Sequence, residues 1–372
     1  MKFVIERAVL LKTLSHIQSI VEKRNTIPVL SNVRIEVMGD GISFKATDMD
    51  TEITEIVDAK IAETGAITAP AHMMHDIVRK LSDGSEVELV FPDEKGQLSI
   101  ASGRSKFARS TIGAEDFPVI SGEKLPVVFN IAREELKDII DRTQFAVSTE
   151  ETRYNLNGIY MHAKNEGATK VLRVVATDGH RLACVETPLA AGAEKVSGII
   201  IPRKTIAEVR KLLDDTKAEN IEISLSDNKV RFVLEEVILT SKLIDGTYPD
   251  YERVIPTDTD KLLEVQVKGL SDAVDRVSVV AERTRAIKMI VEKGKVIITT
   301  TSPDLGSALE EIDAKYENES LEIGYNFRYL LDILSEIKGE SVQVGFSDAS
   351  SPSVIHDVSD ASAIYVLMPM RV

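Results

Sequence analysis

Apolar positions along this chain follow two alternating periods, one helical and one extended, and the alternation comes round three times. Met74, Ile77, Val78 and Leu81 are spaced as one face of a helix, which Asp83 and Gly84 end. Val87, Leu89 and Phe91 then alternate with polar residues, the segment DEKGQ turns, and Leu98 and Ile100 alternate back. The order returns at Ile206, Val209, Leu212 and Leu213, followed by Ile221, Ile223 and Leu225, an SDNK turn, and Val230, Phe232 and Leu234. It returns again at Leu330, Ile333, Leu334 and Ile337, followed by Val342, Val344 and Phe346 and an SDASSP turn. The first two helices share the tetrapeptide VRKL, beginning at Val78 and at Val209.

The segments upstream repeat as well. IERAVLLKTLSHIQSIV, AREELKDIIDRTQFAV and KGLSDAVDRVSVVA each predict an opening helix. An extended pair follows each: SNVRIEVMGDGISFKATD, NGIYMHAKNEGATKVLRVVATD and AIKMIVEKGKVIITTTS. The first two pairs end in ATD, at Ala46 and Ala176, which makes Asp48 and Asp178 equivalent and suggests a structural task for both. Closing strands are expected in SKFARSTIGAEDFPVI, VILTSKLIDGTYPDYERVI and SAIYVLMPMRV. The pattern predicts an α+β chain of three helix–strands–helix–strands units of about 125 residues, each able to hold its own core. The turn from Gly122 to Pro126 and the polar stretch from Pro256 to Lys261 set the expected domains at 1–122, 123–256 and 257–372.

Composition narrows the function classes. The single cysteine, Cys184, excludes an internal disulfide and a cysteine-based zinc site, and fits a reducing cytoplasm. MKFVIERAVLLK has Glu6 and Arg7 inside its apolar stretch, unlike a signal or transit segment. No run approaches the ~18 apolar residues of a membrane span, so a cytoplasmic location with no membrane partner is expected. The net charge of −15 argues against nucleic acid only if it is spread evenly. It is not. Arg203 with Arg210, and Lys204 with Lys211, lie two helical turns apart and away from the Ile206, Val209 and Leu213 stripe. Arg79 and Lys80 are their counterparts in the first repeat. Arg7, Lys12, Lys23 and Arg24 decorate the first opening helix and its exit, Arg133, Lys137 and Arg142 the second, and Lys268, Arg276, Arg283 and Arg328 the third repeat more thinly. Acidic residues gather in DMDTEITE, EEVIL, ALEEID and YENESLEI, which read as strands and loops. Helices on one surface and acidic strands on another would give a basic face able to hold phosphate without reading bases.

MKFVIER, RNTIPVLSN, SGRSKF, ATDGHRLA, IPRK, TSKLIDGTYPDY, GYNFRYLLDIL and YVLMPMRV together resemble, end to end, the sliding clamps that are the β subunits of bacterial DNA polymerase III. The resemblance implies three repeated DNA-clamp domains per chain and a head-to-tail homodimer closing into a pseudo-sixfold ring, with helices inside and strands outside. It implies a non-catalytic processivity factor without cofactor or metal. Expected partners are double-stranded DNA, a second copy of the chain, the polymerase III catalytic subunit, the clamp loader and other proteins with a clamp-binding motif. The DNA-facing residues expected are Lys12, Arg24, Arg79, Lys80, Lys204 and Lys211, with Arg153 and Tyr154 from the RYNLNG segment. Asn155 stands there where the family carries a second aromatic.

The resemblance also implies a pocket for short apolar motifs between the second and third repeats. Carried over, it comprises Leu156, Thr177, Gly179, His180, Arg181 and Leu182, then Pro249, Arg253 and Val254, then Asn326, Tyr329, Ser350 and Pro352, and finally Val366, Leu367, Met368, Pro369, Met370 and Arg371. Methionine suits varied partners and Leu, Val and Pro an apolar groove, while Arg181 and Arg371 are expected to hold polar groups at the rim. Thr284 stands near it where a larger side chain is expected. One edge of the first repeat, including Lys106 and Phe107, is expected to meet an edge of the third in the ring. A metal-dependent hydrolase built on Asp48, Asp50, Glu52, Asp178 and His180 is the rival, but DMDTE lacks a calcium-loop glycine and no HExxH, GxSxG or phosphate-binding loop occurs. A repeat scaffold that binds protein alone would share the pocket and lack the basic face.

Overall fold

Antiparallel hairpins form at the five extended pairs expected from alternation and at a sixth whose first strand alone was expected: Asn32–Val37 with Ile42–Thr47, Glu86–Val90 with Gln97–Ser102, Gly158–Glu166 with Thr169–Thr177, Asn220–Leu225 with Lys229–Leu234, Ala286–Glu292 with Lys295–Ser302, and Ser341–Phe346 with Ser353–Asp357. The computed structural model describes residues 1–23, 25–39, 41–92, 96–120, 122–166, 169–281 and 283–371, so the centre of the DEKGQ turn and Arg24 lie outside the described residues. Among the described residues six α-helices accompany the hairpins: α1 Arg7–Ile20, α2 Ala71–Lys80, α3 Arg133–Gln144, α4 Arg203–Asp215, α5 Val267–Ala281 and α6 Phe327–Ser335.

Helix ends differ slightly from the periodic stripes. Ile5 and Glu6 belong to a strand, Lys2–Glu6, because Phe3 and Ile5 alternate inward. Its counterparts Val127–Ala132 and Lys261–Gln266 likewise precede α3 and α5. The first residue of each opening helix donates its backbone N–H to the exit of the repeat's second helix: Arg7 to Ser85 at 2.9 Å, Arg133 to Glu219 at 2.9 Å and Val267 to Glu340 at 3.0 Å. Leu81 and Ile337 fall just beyond α2 and α6, where their N–H groups close the last turn onto Val78 and Leu334.

The backbone gathers into two units, residues 1–134 with 207–243, and 135–206 with 244–372. Unit 1 holds a five-stranded sheet in the order Lys60–Glu63, Lys2–Glu6, Glu86–Val90, Gln97–Ser102, Ser105–Ser110. Its eight-stranded sheet runs Val127–Ala132, Asn220–Leu225, Lys229–Leu234, Val237–Lys242, Thr51–Val57, Ile42–Thr47, Asn32–Val37, Gly65–Pro70. The α1 helix packs on α2 and on the two strands spanning Ile42–Thr47 and Thr51–Val57, burying Leu10, Leu14 and Ile17 with Phe44. The joint between repeats is the pairing of Val237 to Ser241 with Glu55 to Thr51.

Unit 2 repeats the plan. Its eight-stranded sheet runs Ile199–Pro202, Gly158–Glu166, Thr169–Thr177, Arg181–Pro188, Asp360–Leu367, Ser353–Asp357, Ser341–Phe346, Lys261–Gln266. The joint is Arg181 to Val185 against Leu367 to Ala363. A four-stranded sheet, Gly306–Asp313, Lys295–Ser302, Ala286–Glu292, Leu321–Asn326, packs on α5, which also meets α6. The middle repeat thus supplies strands to both units.

Three of the arginines expected on the basic helix faces turn inward instead. Arg7 caps the end of α2, donating to the Val78 and Arg79 carbonyls at 3.1 and 2.8 Å. Arg133 donates to the Thr216 carbonyl at 2.8 Å. Arg142 is buried and donates to Asp138 at 3.2 Å, Asp360 at 3.1 Å and Ser362 at 3.0 Å. These side chains lie beside the apolar stripe, and their acceptors come from distant parts of the chain.

A buried basic side chain with carboxylate partners crosses the repeat joint in each unit. In unit 2 it is Arg142. In unit 1 it is His16, whose Nδ1 lies 2.8 Å from Glu55 and whose Nε2 lies 3.1 Å from Asp215. Thr13 Oγ1 donates to the other Glu55 oxygen at 2.8 Å. Burial by itself would lower the His16 pKa, but hydrogen bonds and charges from Glu55 and Asp215 outweigh it and hold the pKa above the ordinary value. Since the folded pKa is the higher one, this stabilisation is complete below the ordinary histidine pKa and is lost as pH rises through the folded value. Thermal denaturation should show a fall in melting temperature from mildly acidic to alkaline pH that His16→Gln largely removes. An unchanged pH slope in that variant would show that His16 is not protonated. Arg142→Ala should cost about 3 kcal/mol at neutral pH, since it leaves Asp360 without its cation and Ser362 without its donor, and the cost should shrink as pH falls through the carboxylate range.

Candidate peptide-binding site and basic surface

The turn Thr177-Asp178-Gly179-His180-Arg181 is fixed by its own side chains. Asp178 Oδ1 accepts from the His180 and Arg181 N–H groups at 2.9 and 3.0 Å. Thr177 Oγ1 accepts from the Gly179 N–H at 3.1 Å and donates to the Arg181 carbonyl at 2.7 Å. Gly179 has φ +87°, a conformation that glycine adopts without strain, and a Cβ there would meet Arg153 Nη1 at 2.7 Å. Asp178 is thereby occupied by backbone.

From this turn the strand Arg181–Pro188 runs beside Asp360–Leu367, with Leu182 opposite Val366. Leu182 and Val366 join Leu156, Val175, Cys184, Ile200, Tyr248 and Tyr251 in one buried apolar cluster. Pro249 lies exposed between the two tyrosines, and Val254, exposed at 49%, follows them with Arg253, which pairs with Asp250 at 2.6 Å. Tyr160 stacks on Tyr248 at 4.7 Å. The Tyr251 hydroxyl donates to His162 Nε2 at 2.8 Å and accepts from Arg173 Nη1 at 3.0 Å. Burial pushes His162 below its ordinary pKa, and with Nδ1 3.4 Å from the Ala163 carbonyl, which can only accept, Nε2 of the neutral ring is the acceptor. Burial also pushes the Cys184 thiol up to about 12.

The chain beyond Leu367 is pinned at two points. The Met368 N–H donates to the His180 carbonyl at 2.9 Å, and the Met370 N–H to the Gly324 carbonyl at 2.8 Å. Met368 and Met370 stay exposed, at 41% and 39%. Ser350, Pro369, Met370 and Arg371 share a cavity of about 410 Å³ with Lys288 and Glu322. Asn326 caps α6 by accepting from the Arg328 N–H at 3.0 Å. The first turn of α6 brings Tyr329 against His180, with ring centroids 6.1 Å apart and planes at 20°.

Arg181 is not a free rim group. It is 9% exposed and donates to Asp178 at 3.1 Å, to Asp332 and to the Phe145 carbonyl at 2.5 Å. Its guanidinium lies over Tyr329 at 4.4 Å and Phe145 at 5.1 Å, so it holds the wall of the site. Tyr248 and Tyr251 share the buried cluster of Leu182 and Val366 and were not singled out in the sequence, although the quoted segment TSKLIDGTYPDY contains both. Half-buried Pro352 and buried Leu367 complete the strand ends, and Thr284 donates to the Ala281 carbonyl at 3.3 Å.

The basic residues are more scattered. Lys204 and Lys211 lie exposed on α4, where Ile206, Val209, Leu212 and Leu213 are buried on the other side. Lys211 pairs with Glu208 at 2.8 Å, Arg79 with Asp76 at 3.3 Å and Arg153 with Glu150 at 3.2 Å. Lys12 donates to the Asp215 carbonyl at 2.9 Å, and Lys80 is exposed at the end of α2. Tyr154 is 58% exposed beside Asn155, whose amide donates to the Thr247 carbonyl at 3.1 Å.

Comparison with known proteins agrees with this geometry. Models of the DNA polymerase III beta subunit match as N-terminal domain over residues 1–121, central domain over 130–250 and C-terminal domain over 252–371. The beta sliding clamp of Caulobacter vibrioides is 48% identical over 373 residues, with all of both chains covered. That of Pseudomonas aeruginosa is 38% identical over 373 residues, again covering both chains in full. The crystal structure of the C. crescentus beta sliding clamp with PEG bound superimposes with a TM-score of 0.98 at 48% identity, covering 100% of this chain and 99% of that one. A sliding clamp from Bartonella birtlesii bound to griselimycin gives 0.97 at 44% identity, with 100% of both chains covered. The chain belongs to the beta sliding clamp family, the beta subunits of DNA polymerase III.

Proposed function

We propose that this protein is a non-catalytic DNA sliding clamp of the cytoplasm, a ring of two chains that encloses duplex DNA and tethers the polymerase III catalytic subunit, the clamp loader and other motif-bearing proteins. The observation that carries the reading is the full-length family match, with the turn, strand pair and α6 meeting around Leu182, Val366, His180 and Tyr329. Clamp domains at 1–122, 123–256 and 257–372 fit the threefold sequence repeat.

Ring closure is supported by two open sheet edges. The strand Ser105–Ser110 is exposed at all six positions and presents Phe107 with Lys106 and Arg109. The strand Gly306–Asp313 ends the other sheet and presents Leu309, 67% exposed, with Glu310, Glu311 and Asp313. Bare edges invite another chain, and these two are complementary in charge. Edge-to-edge pairing of two copies would use both twice and close.

The DNA-facing set would be Lys12, Arg24, Arg79, Lys80, Arg153, Tyr154, Lys204 and Lys211. Several exchange an exposed carboxylate partner for phosphate, and such ion pairs are worth only about 0–1 kcal/mol. Each phosphate contact is then weak in net terms, as sliding requires, and enclosure supplies the retention. Peptide motifs would dock on Met368, Met370, Leu182, Val366 and Tyr329, with Arg181 holding the wall rather than the ligand.

Small-angle scattering should give a dimer mass with a hollow distance profile and a radius of gyration above the ~27 Å of a compact dimer. A monomer at micromolar concentration would rule out the closed ring. Lys204→Glu with Lys211→Glu should shorten processive synthesis and weaken its dependence on salt, and unchanged processivity would remove both residues from the DNA surface. Isothermal titration with griselimycin should find one site per chain, weakened by roughly 2 kcal/mol in Tyr329→Ala; an undiminished affinity would place the docking site elsewhere.

A further inference from the structure

Unit 1 contains a second copy of the framework that carries the candidate pocket in unit 2. The turn Thr47-Asp48-Met49-Asp50-Thr51 corresponds to Thr177-Asp178-Gly179-His180-Arg181, and its hydrogen bonds match one for one. Asp48 Oδ1 accepts from the Asp50 and Thr51 N–H groups at 3.0 and 2.7 Å. Thr47 Oγ1 accepts from the Met49 N–H at 3.0 Å and donates to the Thr51 carbonyl at 2.9 Å. Met49 has φ +78°, as Gly179 has +87°. The Lys242 N–H donates to the Asp50 carbonyl at 2.8 Å, as Met368 does to His180 at 2.9 Å. The strand register agrees too, with Glu52 opposite Thr240 where Leu182 is opposite Val366.

What differs is the side chains. In unit 2 the paired positions are Leu182 and Val366, both within the apolar cluster, and the exit residue is the exposed Met368. In unit 1 they are Glu52 and Thr240, each 1% exposed, and the exit residue is Lys242. Glu52 Oε1 lies 3.3 Å from Lys45 Nζ, and Oε2 accepts from the Ile120 N–H at 2.8 Å. Lys229 Nζ donates to the Ile120 carbonyl at 3.1 Å. The chain's own segment around Ile120 is thus fastened to the carboxylate from one side and to a lysine from the other. Phe117 of the same segment packs with Val29 and Leu30. Thr240 Oγ1 accepts from Arg231 Nε at 3.3 Å, and Lys242 pairs with Asp50 at 3.1 Å. An apolar peptide entering here would break a buried ion pair and leave polar groups without partners.

We propose that Glu52, seconded by Thr240, is the specificity-determining residue that confines peptide docking to unit 2, by holding the equivalent joint of unit 1 closed over residues 117–120. This rests on the docking site assigned above to unit 2.

The test is griselimycin titration of the full chain by calorimetry. The unaltered protein is measured first, and if it binds none, the docking assignment fails and this proposal falls with it. Given one site in the unaltered protein, a variant carrying Glu52→Leu, Thr240→Val, Lys242→Met and Asp50→His should bind two per chain. A folded variant with an intact melting transition that still binds one overturns the proposal while leaving the unit 2 site standing. Should that variant fail to fold, Glu52→Ala alone, which releases the Ile120 N–H and frees residues 117–120 from the carboxylate, must show a second, weaker site under saturating griselimycin; its absence overturns the proposal. The reverse exchange, Leu182→Glu with Val366→Thr, should weaken binding by about 100-fold. Retention within about tenfold would show that these paired positions do not decide the specificity.

Discussion

The structure hangs on one kind of backbone pairing, the antiparallel ladder that crosses from one repeat to the next. In unit 1 it joins Thr51 to Glu55 with Ser241 to Val237, and in unit 2 Arg181 to Val185 with Leu367 to Ala363. Each ladder turns two four-stranded sheets into one of eight and removes two edges that would otherwise face solvent. It also sets the site. Leu182 stands beside Val366, and the following residues pass His180, only because the ladder holds this register. A slip by one residue would turn every side chain of the strand to the other face. Two buried side chains guard against it, for Arg142 and His16 tie the opening helix to carboxylates on the far side of each joint.

Between the joints the two units divide their chemistry. Unit 2 places apolar groups where its ladder ends, and unit 1 places buried polar ones on the same backbone. The repeat therefore fixes where a site can form, and a handful of side chains decides whether it opens. The basic helix residues show a similar economy. Some serve the fold as helix-end caps, as Arg7 and Arg133 do, and others remain exposed with a carboxylate nearby. Net charge conceals this division, since caps and exposed lysines count alike in the sum.

Much of this was legible in the sequence, for definite reasons. The expected hairpins alternate cleanly because one face is buried, as at Val230, Phe232 and Leu234, and the helices show their stripes for the same reason. The joining strands were harder. In TEITEIV both Thr and Glu are buried, and RLACVETP is buried along most of its length, so neither shows a simple alternation. The inward turn of Arg142 was invisible because its acceptors, Asp360 and Ser362, lie more than half the chain away. The pocket residues came from resemblance, and the structure brings most of them around one strand end. Arg181 was expected to hold polar groups at the rim, and nothing local in the sequence reveals that Asp332 and the Phe145 carbonyl engage it.

Cys184 gives this arrangement a built-in reporter. It is the chain's sole cysteine and lies in the buried cluster of Leu182 and Val366, directly across the ladder from Ile364. With its pKa near 12 and its sulfur buried, the native thiol is almost never a thiolate and almost never reachable. An alkylating reagent would therefore react only during excursions that uncover this cluster. The rate of that reaction, read by mass alone on the unaltered protein, would clock the opening of the cluster without any label being introduced.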